Sequence, residues 1–284
     1  MKSYSEKLRA FSAAHPCGRV TAAGASFRYV LCGAGERTLV LLNGGMNTLK
    51  MWMDYVDDLA RDSRVLLFDY PRELKTNQVL AAGMHALFET LGIQKPIFVG
   101  ASDGGMVAQI YVQKYPGETG GLVLISTGGM DERTLRSLKK KYRLAPLLLW
   151  YMKHCNYEKL KPRLIRASLS HLRNESPEEI AYARDMFETI FRGYPQEKDV
   201  HISTLLADLM NQKPVTAADF SALAGKILLI LPDQDFFSGE MQQDLIGLMH
   251  QPKIVCVSGG HLGTVLKAED GLRAIRAFLQ EAEL

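Results

Sequence analysis

Short runs of Val, Ile, Leu and Phe alternate with amphipathic segments along most of this chain, and few folds accommodate that alternation. Strand-like runs fall at 27–32, 38–42, 65–68, 97–100, 122–126, 227–231 and 254–257, bounded by Gly, Pro, Asp or Asn. Continuous apolar runs of this length suit strands covered on both faces of a sheet. Helical patterns occupy 51–62, 78–91, 106–115, 241–250 and 266–282. Strands separated by single helices predict right-handed βαβ units and a mostly parallel sheet flanked by helices, an α/β class chain. The N-terminal stretch reads instead as a hairpin, with Gly24 and Gly33-Ala34-Gly35 as turns and 20–22 as a further edge strand.

The alternation breaks once. Between 128 and 224 there is no strand-like run, and a helical pattern is punctuated by Pro146, Pro162, Pro177, Pro195 and Pro214. A segment this long is not a structureless loop. It predicts an inserted helical subdomain at 128–224, with residues 1–127 and 225–284 forming the core around it.

The chemistry concentrates at Gly100-Ala101-Ser102-Asp103-Gly104-Gly105, between a strand-like run and a helical one. A G-x-S-x-G in that context is a nucleophile elbow: small neighbours let strand and helix approach while the turn exposes the serine. A serine hydroxyl is a weak nucleophile and needs a base and an orienting acid. Of His15, His85, His154, His171, His201, His250 and His261, only His261 directly follows a strand in a Gly-rich loop, Ser258-Gly259-Gly260. The acid belongs after the strand at 227–231, where Pro232-Asp233-Gln234-Asp235 offers two carboxylates. Asp235 has the better reach, and Asp233 stays open as its rival, or as a turn-forming Asp bonded to nearby backbone. An oxyanion hole needs the N–H of Asp103 and a second N–H from an earlier loop. Asn43-Gly44-Gly45-Met46 supplies that loop, with Gly45 as the expected donor and Gly44 as the next candidate.

Together these elements resemble the α/β-hydrolase superfamily over nearly the whole chain, and the inserted segment at 128–224 looks like that superfamily's helical cap. The resemblance implies a serine hydrolase with Ser102, Asp235 and His261 as catalytic triad, Gly45, Asp103 and Gly44 around the oxyanion, and no cofactor or metal. The substrate class would be an ester, thioester or small amide cleaved through an acyl-enzyme, with carbon–carbon bond hydrolysis on the same triad as an alternative. Asp69-Tyr70-Pro71, Gly100-Ala101-Ser102, Asp233-Gln234 and Gly259-Gly260 are similar to the maspardin-like branch, which implies a non-catalytic binding or adaptor protein as a further alternative. The chain departs from many members in having Asn43-Gly44 rather than His-Gly, and Tyr70-Pro71-Arg72-Glu73 rather than a Gly-rich turn. Asp103 beside the nucleophile would repel anionic substrates, or hold a substrate ammonium, if it faces the pocket.

Composition limits the partners. Lys and Arg number 34 against 31 Asp and Glu, giving a net charge of +3, which points away from nucleic acid and toward a small-molecule substrate. The densest basic cluster, Lys139-Lys140-Lys141 with Arg143, reads as a solvated helix face. No CxxC pair occurs among Cys17, Cys32, Cys155 and Cys256, and the N-terminus lacks an apolar leader, so a cytoplasmic location is expected. The apolar stretch at 144–152 is too short to span a bilayer. Its Leu147, Leu148, Leu149, Trp150 and Met152 read as core packing, with an apolar roof over the substrate as the other reading, and Met46 and Trp150 are the candidate substrate contacts. The sequence does not set the oligomeric state.

Overall fold

The computed structural model describes residues 2–170, 172, 175–237 and 239–284. Among them an eight-stranded sheet forms the centre. Its strands are β1 (Gly18–Ala22), β2 (Ala25–Cys32), β3 (Thr38–Leu42), β4 (Arg64–Phe68), β5 (Ile97–Ala101), β6 (Gly121–Ile125), β7 (Ile227–Gln234) and β8 (Lys253–Gly260). They lie in the order β1-β2-β4-β3-β5-β6-β7-β8. β1 and β2 form an antiparallel hairpin whose turn residues Ala23 and Gly24 have φ of 47° and 73°, the twist-matched turn of two-residue hairpins. β2 runs antiparallel to β4, and every later pairing is parallel.

The helices are α1 (Tyr4–Ala14), α2 (Met53–Leu59), α3 (Asn77–Thr90), α4 (Asp103–Lys114), α5 (Glu132–Lys141), α6 (Ala145–His154), α7 (Tyr157–Ser170), α8 (Pro177–Arg192), α9 (Gln196–Leu209), α10 (Glu240–Leu248), α11 (Gly263–Leu266) and α12 (Ala268–Glu281). Alternate residues of each central strand feed opposite faces. Val40, Leu42, Phe98, Leu122 and Leu124 join α3 and α4 in one apolar layer. Leu39, Leu41, Val99, Val123 and Ile125 join Trp52, Tyr55 of α2 and Ile275 and Phe278 of α12 in the other. Full burial of each such side chain contributes roughly 1.5–3 kcal/mol.

The helices α5 to α9 all lie between β6 and β7, and no described strand interrupts them. Two of them enter the apolar layers from opposite sides. α8 brings Tyr182, Met186 and Phe187 to the second layer, and α9 brings Ile202, Leu205 and Leu209 to the first.

The structure departs from the sequence reading in three places. α1, absent from that reading, is a helix with a Ser3–Glu6 capping box, and it buries Tyr4, Leu8 and Phe11 at helical spacing. β8 alternates between half-buried and exposed, with Ile254 42% exposed, the pattern of an edge strand with one face toward solvent. The third concerns α6. Core packing holds for its buried Met152, but Leu147, Leu148 and Trp150 are exposed.

Candidate active site

Ser102 joins β5 to α4 with φ 53° and ψ −123°. A non-glycine residue adopts that left-handed conformation only where its surroundings enforce it. Here three bonds do so. The Ser102 N–H donates to the Ile125 carbonyl at 2.9 Å, and the Ser102 carbonyl accepts from the Gly105 N–H at 2.9 Å and from Thr127 Oγ1 at 2.6 Å. The turn also demands close backbone approach. A Cβ on Gly100 would stand 2.6 Å from the Gly104 carbonyl, and one on Gly104 would stand 2.3 Å from the Leu42 carbonyl.

His261 follows β8 and reaches back over the end of the sheet. Its Nε2 lies 2.9 Å from Ser102 Oγ, and its Nδ1 lies 2.9 Å from Asp235 Oδ1. Asp235, just past β7, is 5% exposed, and its Oδ1 also accepts from the Phe237 N–H at 3.1 Å. The imidazole packs against the rings of Phe236 and Phe237, at centroid distances of 4.4 and 5.9 Å. The rival carboxylate has a different partner. Asp233 Oδ1 accepts from the Gly259 N–H at 2.9 Å and so braces the histidine's loop rather than its ring.

A second brace crosses from the inserted helices. Glu175, just before α8, accepts from the Gly260 N–H at 3.0 Å and pairs with Lys267 at 3.2 Å. Lys267 also pairs with Glu179 of α8 at 3.2 Å. The residue preceding the histidine is therefore held by the segment inserted between β6 and β7.

The loop after β3 lies against the elbow. A Cβ on Gly44 would be 3.3 Å from Ser102 Cβ, and one on Gly45 would be 3.0 Å from Asp103 Oδ2. The loop is fixed from behind. Asn43 Nδ2 donates to the Phe68 carbonyl, the Tyr70 hydroxyl donates to the Asn43 carbonyl at 2.9 Å, and Asn47 exchanges two bonds with the Tyr70 backbone. The Asn43 side chain is thus buried in a structural bond. The Met46 carbonyl accepts from the Tyr194 hydroxyl at 2.5 Å, a further tie to the inserted helices.

Asp103 is the first residue of α4, and its carboxylate stands beside Gly45. Burial pushes its pKa up to about 6, while His261 and its own backbone N–H oppose the rise. A carboxylate near the elbow is therefore poised to change charge within a unit or so of neutrality.

The structure thus brings together Ser102, Asp235, His261, Gly44, Gly45 and Asp103, while Met46 is placed by its carbonyl bond to Tyr194 and by packing in the second apolar layer. Trp150 is elsewhere in its contacts: its ring rests on His154 of its own helix at 4.9 Å, it is 60% exposed, and no bond joins it to the serine. Other histidines have other partners. His85 meets Tyr111, His201 bonds the Leu74 carbonyl and His250 the Ala217 carbonyl. His171 lies outside the described residues. Among the described residues no three His, Cys, Asp or Glu side chains gather as a metal ligand set. The sequence reading missed Thr127, Glu175, Phe236 and Phe237. The adjacent phenylalanines were visible beside the acid, but Glu175 and Thr127 act across long sequence gaps and leave no local signal.

Comparison with known proteins follows the same lines. A family model described as "alpha/beta hydrolase fold" matches residues 37–164. A Paraburkholderia phymatum protein named 2-hydroxy-6-oxononadienedioate/2-hydroxy-6-oxononatrienedioate hydrolase is 34% identical over 115 residues, 35% of this chain and 40% of that protein. A Burkholderia cepacia protein named 2-hydroxy-6-oxo-6-phenylhexa-2,4-dienoate hydrolase is 30% identical over 119 residues, covering 37% and 42% of the two chains. The matched stretch therefore spans about 40% of the length of these curated relatives. The structure of a thermophilic esterase from Thermogutta terrifontis superposes with a TM-score of 0.71 at 21% identity, over 94% of this chain and 99% of that one.

Proposed function

Because the chain has the α/β-hydrolase fold, we propose that it is a serine hydrolase acting by acyl transfer to water, with Ser102, His261 and Asp235 as its triad. The observation that carries this reading is the unbroken Ser102–His261–Asp235 contact, 2.9 Å at each step, with the serine in its left-handed turn. His261 Nε2 takes the hydroxyl proton as Ser102 Oγ attacks the substrate carbonyl. Asp235 accepts the Nδ1–H, which fixes the tautomer and stabilises the imidazolium. The N–H groups of Asp103 and Gly45 are the proposed donors to the tetrahedral oxyanion, with Gly44 giving the loop its close approach. His261 then protonates the leaving group, and a water, deprotonated by His261, releases the acid. The helices α5 to α9 act as the cap, with Glu175 and Tyr194 linking it to the histidine loop and the oxyanion loop.

The substrate class is an ester, thioester or small amide. A carbon–carbon hydrolase is the second reading, favoured by the names of the relatives, whose substrates are dienoates and dienedioates. Asp103 weighs against it. A carboxylate beside Gly45 opposes a second carboxylate near the scissile carbonyl above pH 6 and favours neutral or amino-bearing substrates. The contact between intact triad members weighs against a purely binding role.

Parallel assays on one preparation test the choice. We expect p-nitrophenyl butyrate to be turned over, and 2-hydroxy-6-oxo-dienoates to be cleaved at least about a hundredfold more slowly. Faster cleavage of the dienoate would replace the ester reading with the carbon–carbon one. Loss of neither activity in Ser102→Ala would remove the triad assignment.

A further inference from the structure

Among the described residues nine large apolar or aromatic side chains are exposed, and six of them fall between Tyr142 and Tyr151. Chance scatter over a surface does not produce such clustering. A helix at a protein surface ordinarily turns its apolar stripe to the core. α6 does the reverse. Met152 is buried, and α6 is tied to α9 through Gln196, whose side-chain amide bonds the Met152 carbonyl. The outward face carries Leu144, Leu147, Leu148 and Tyr151 at helical spacing, 43–64% exposed, with Trp150 beside them at 60%.

The charge along this face is mostly positive: Arg133 and Arg136 are paired with Glu240, Asp244 and Glu132, and the other cations are not, among the described residues. Residues 133–157 contain seven Lys or Arg and no Asp or Glu, within a chain whose net charge is only +3. Lys139, Lys140, Arg143 and Lys153 flank the apolar face, are exposed, and form no ion pair among the described residues. The patch also reaches the site. Lys141 Nζ sits 5.4 Å from the centre of the Phe236 ring, and that ring packs on His261 at 4.4 Å.

We propose that α6 and the end of α5 form a docking surface for an anionic lipid bilayer, on which the protein lies with the mouth of the Ser102 site turned toward the lipid. An outward apolar stripe, a Trp and a Tyr at its rim and a ring of unpaired cations are the combination that seats a helix in the headgroup region. α6 is ten residues long, so it lies on the bilayer and does not cross it. An apolar protein partner would not require the surrounding cations, and nucleic acid would not require the leucines. The link to substrate rests on the serine hydrolase reading: a site opening beside a docked face draws esters that partition into lipid. The docking itself does not depend on that reading.

Vesicle co-sedimentation tests it on the whole chain, using phosphatidylcholine vesicles with and without about one third phosphatidylglycerol. The wild type is expected to sediment with the anionic vesicles and be released at high salt. Trp52 is buried, so a blue shift of tryptophan emission on binding reports Trp150. The double variant Leu147→Ser/Leu148→Ser is expected to lose binding about tenfold or more while fluorophosphonate labelling of Ser102 in solution stays unchanged. Replacing Lys139, Lys140 and Arg143 with Gln is expected to weaken binding by on the order of a hundredfold at low salt. A wild type that stays in solution with anionic vesicles overturns the proposal. So does binding that survives the Leu double variant, or a dimer in light scattering that this variant dissolves while no vesicles are bound. Labelling of Ser102 that fails while vesicles are bound removes the hydrolase reading and leaves the docking surface standing.

Discussion

The central strands and the inserted helix α6 handle apolar residues in opposite ways. β3, β5 and β6 are buried at every position, whereas α6 exposes Leu144, Leu147, Leu148, Trp150 and Tyr151. The sheet must exclude water on both faces to hold an elbow whose backbone is strained, and each residue there answers to its neighbours. α6 is held at one side by α9, and its outward residues are exposed, the face proposed above to meet a bilayer. Packing explains the first region completely and the second only in part. The proposed catalytic side chains sit at the end of the first, and the proposed docking face belongs to the second.

The largest effect expected is at the acid. Asp235→Asn should lower ester turnover about 10³–10⁴-fold by losing the bond that orients the imidazole, and Asp233→Asn should cost about tenfold or less. The reverse order in steady-state kinetics would assign the triad acid to Asp233. The next largest concerns stability. Gly104→Ala forces a Cβ to within 2.3 Å of the Leu42 carbonyl and should cost at least about 3 kcal/mol in urea unfolding. Leu148→Ala on the exposed face of α6 should change stability by about 0.5 kcal/mol or less. A cost at Leu148 approaching that at Gly104 would erase the contrast between the two regions.

Glu175 joins the two regions, and its substitution gives an intermediate effect. Glu175→Gln keeps an acceptor for the Gly260 N–H but loses the ion pair with Lys267. Turnover should fall by about three- to tenfold at unchanged fold, as read by kcat and circular dichroism. An unchanged kcat would mean that the insertion does not position the histidine loop. The effect at Asp103 is read in its pH dependence. Its folded pKa of about 6 lies above its ordinary 3.8, so the folded chain holds a proton that the unfolded chain releases. That contribution is fully present below pH 3.8 and is lost as the pH rises through 6. Asp103→Asn removes the loss, so the variant should gain about 2 kcal/mol relative to wild type between pH 4 and pH 7. A difference that stays flat with pH in thermal unfolding would contradict the raised pKa of Asp103.

The sheet was legible because its strands are short apolar runs between turn residues, and the strand at 38–42 coincides with β3 at both ends. The elbow was legible because Gly100 and Gly104 are dictated by backbone contacts that no larger residue tolerates. The sequence favoured Asp235 by its reach but left Asp233 open, since the two stand two residues apart at the end of β7 and their different partners across the fold leave no local signal. Glu175 is invisible for the same reason: its partner is 85 residues away. α1 was legible in principle, with its capping box and its Tyr4, Leu8, Phe11 spacing. The exposure of α6 could not be read, because an apolar stripe does not state which way it faces.

The central claim is that Ser102 is a nucleophile activated by His261. Treatment with a fluorophosphonate probe followed by peptide mass spectrometry tests it most directly. The account predicts the adduct on Ser102, abolished in Ser102→Ala and slowed about a thousandfold in His261→Ala. A protein that does not label, or that labels equally well without Ser102, would contradict it.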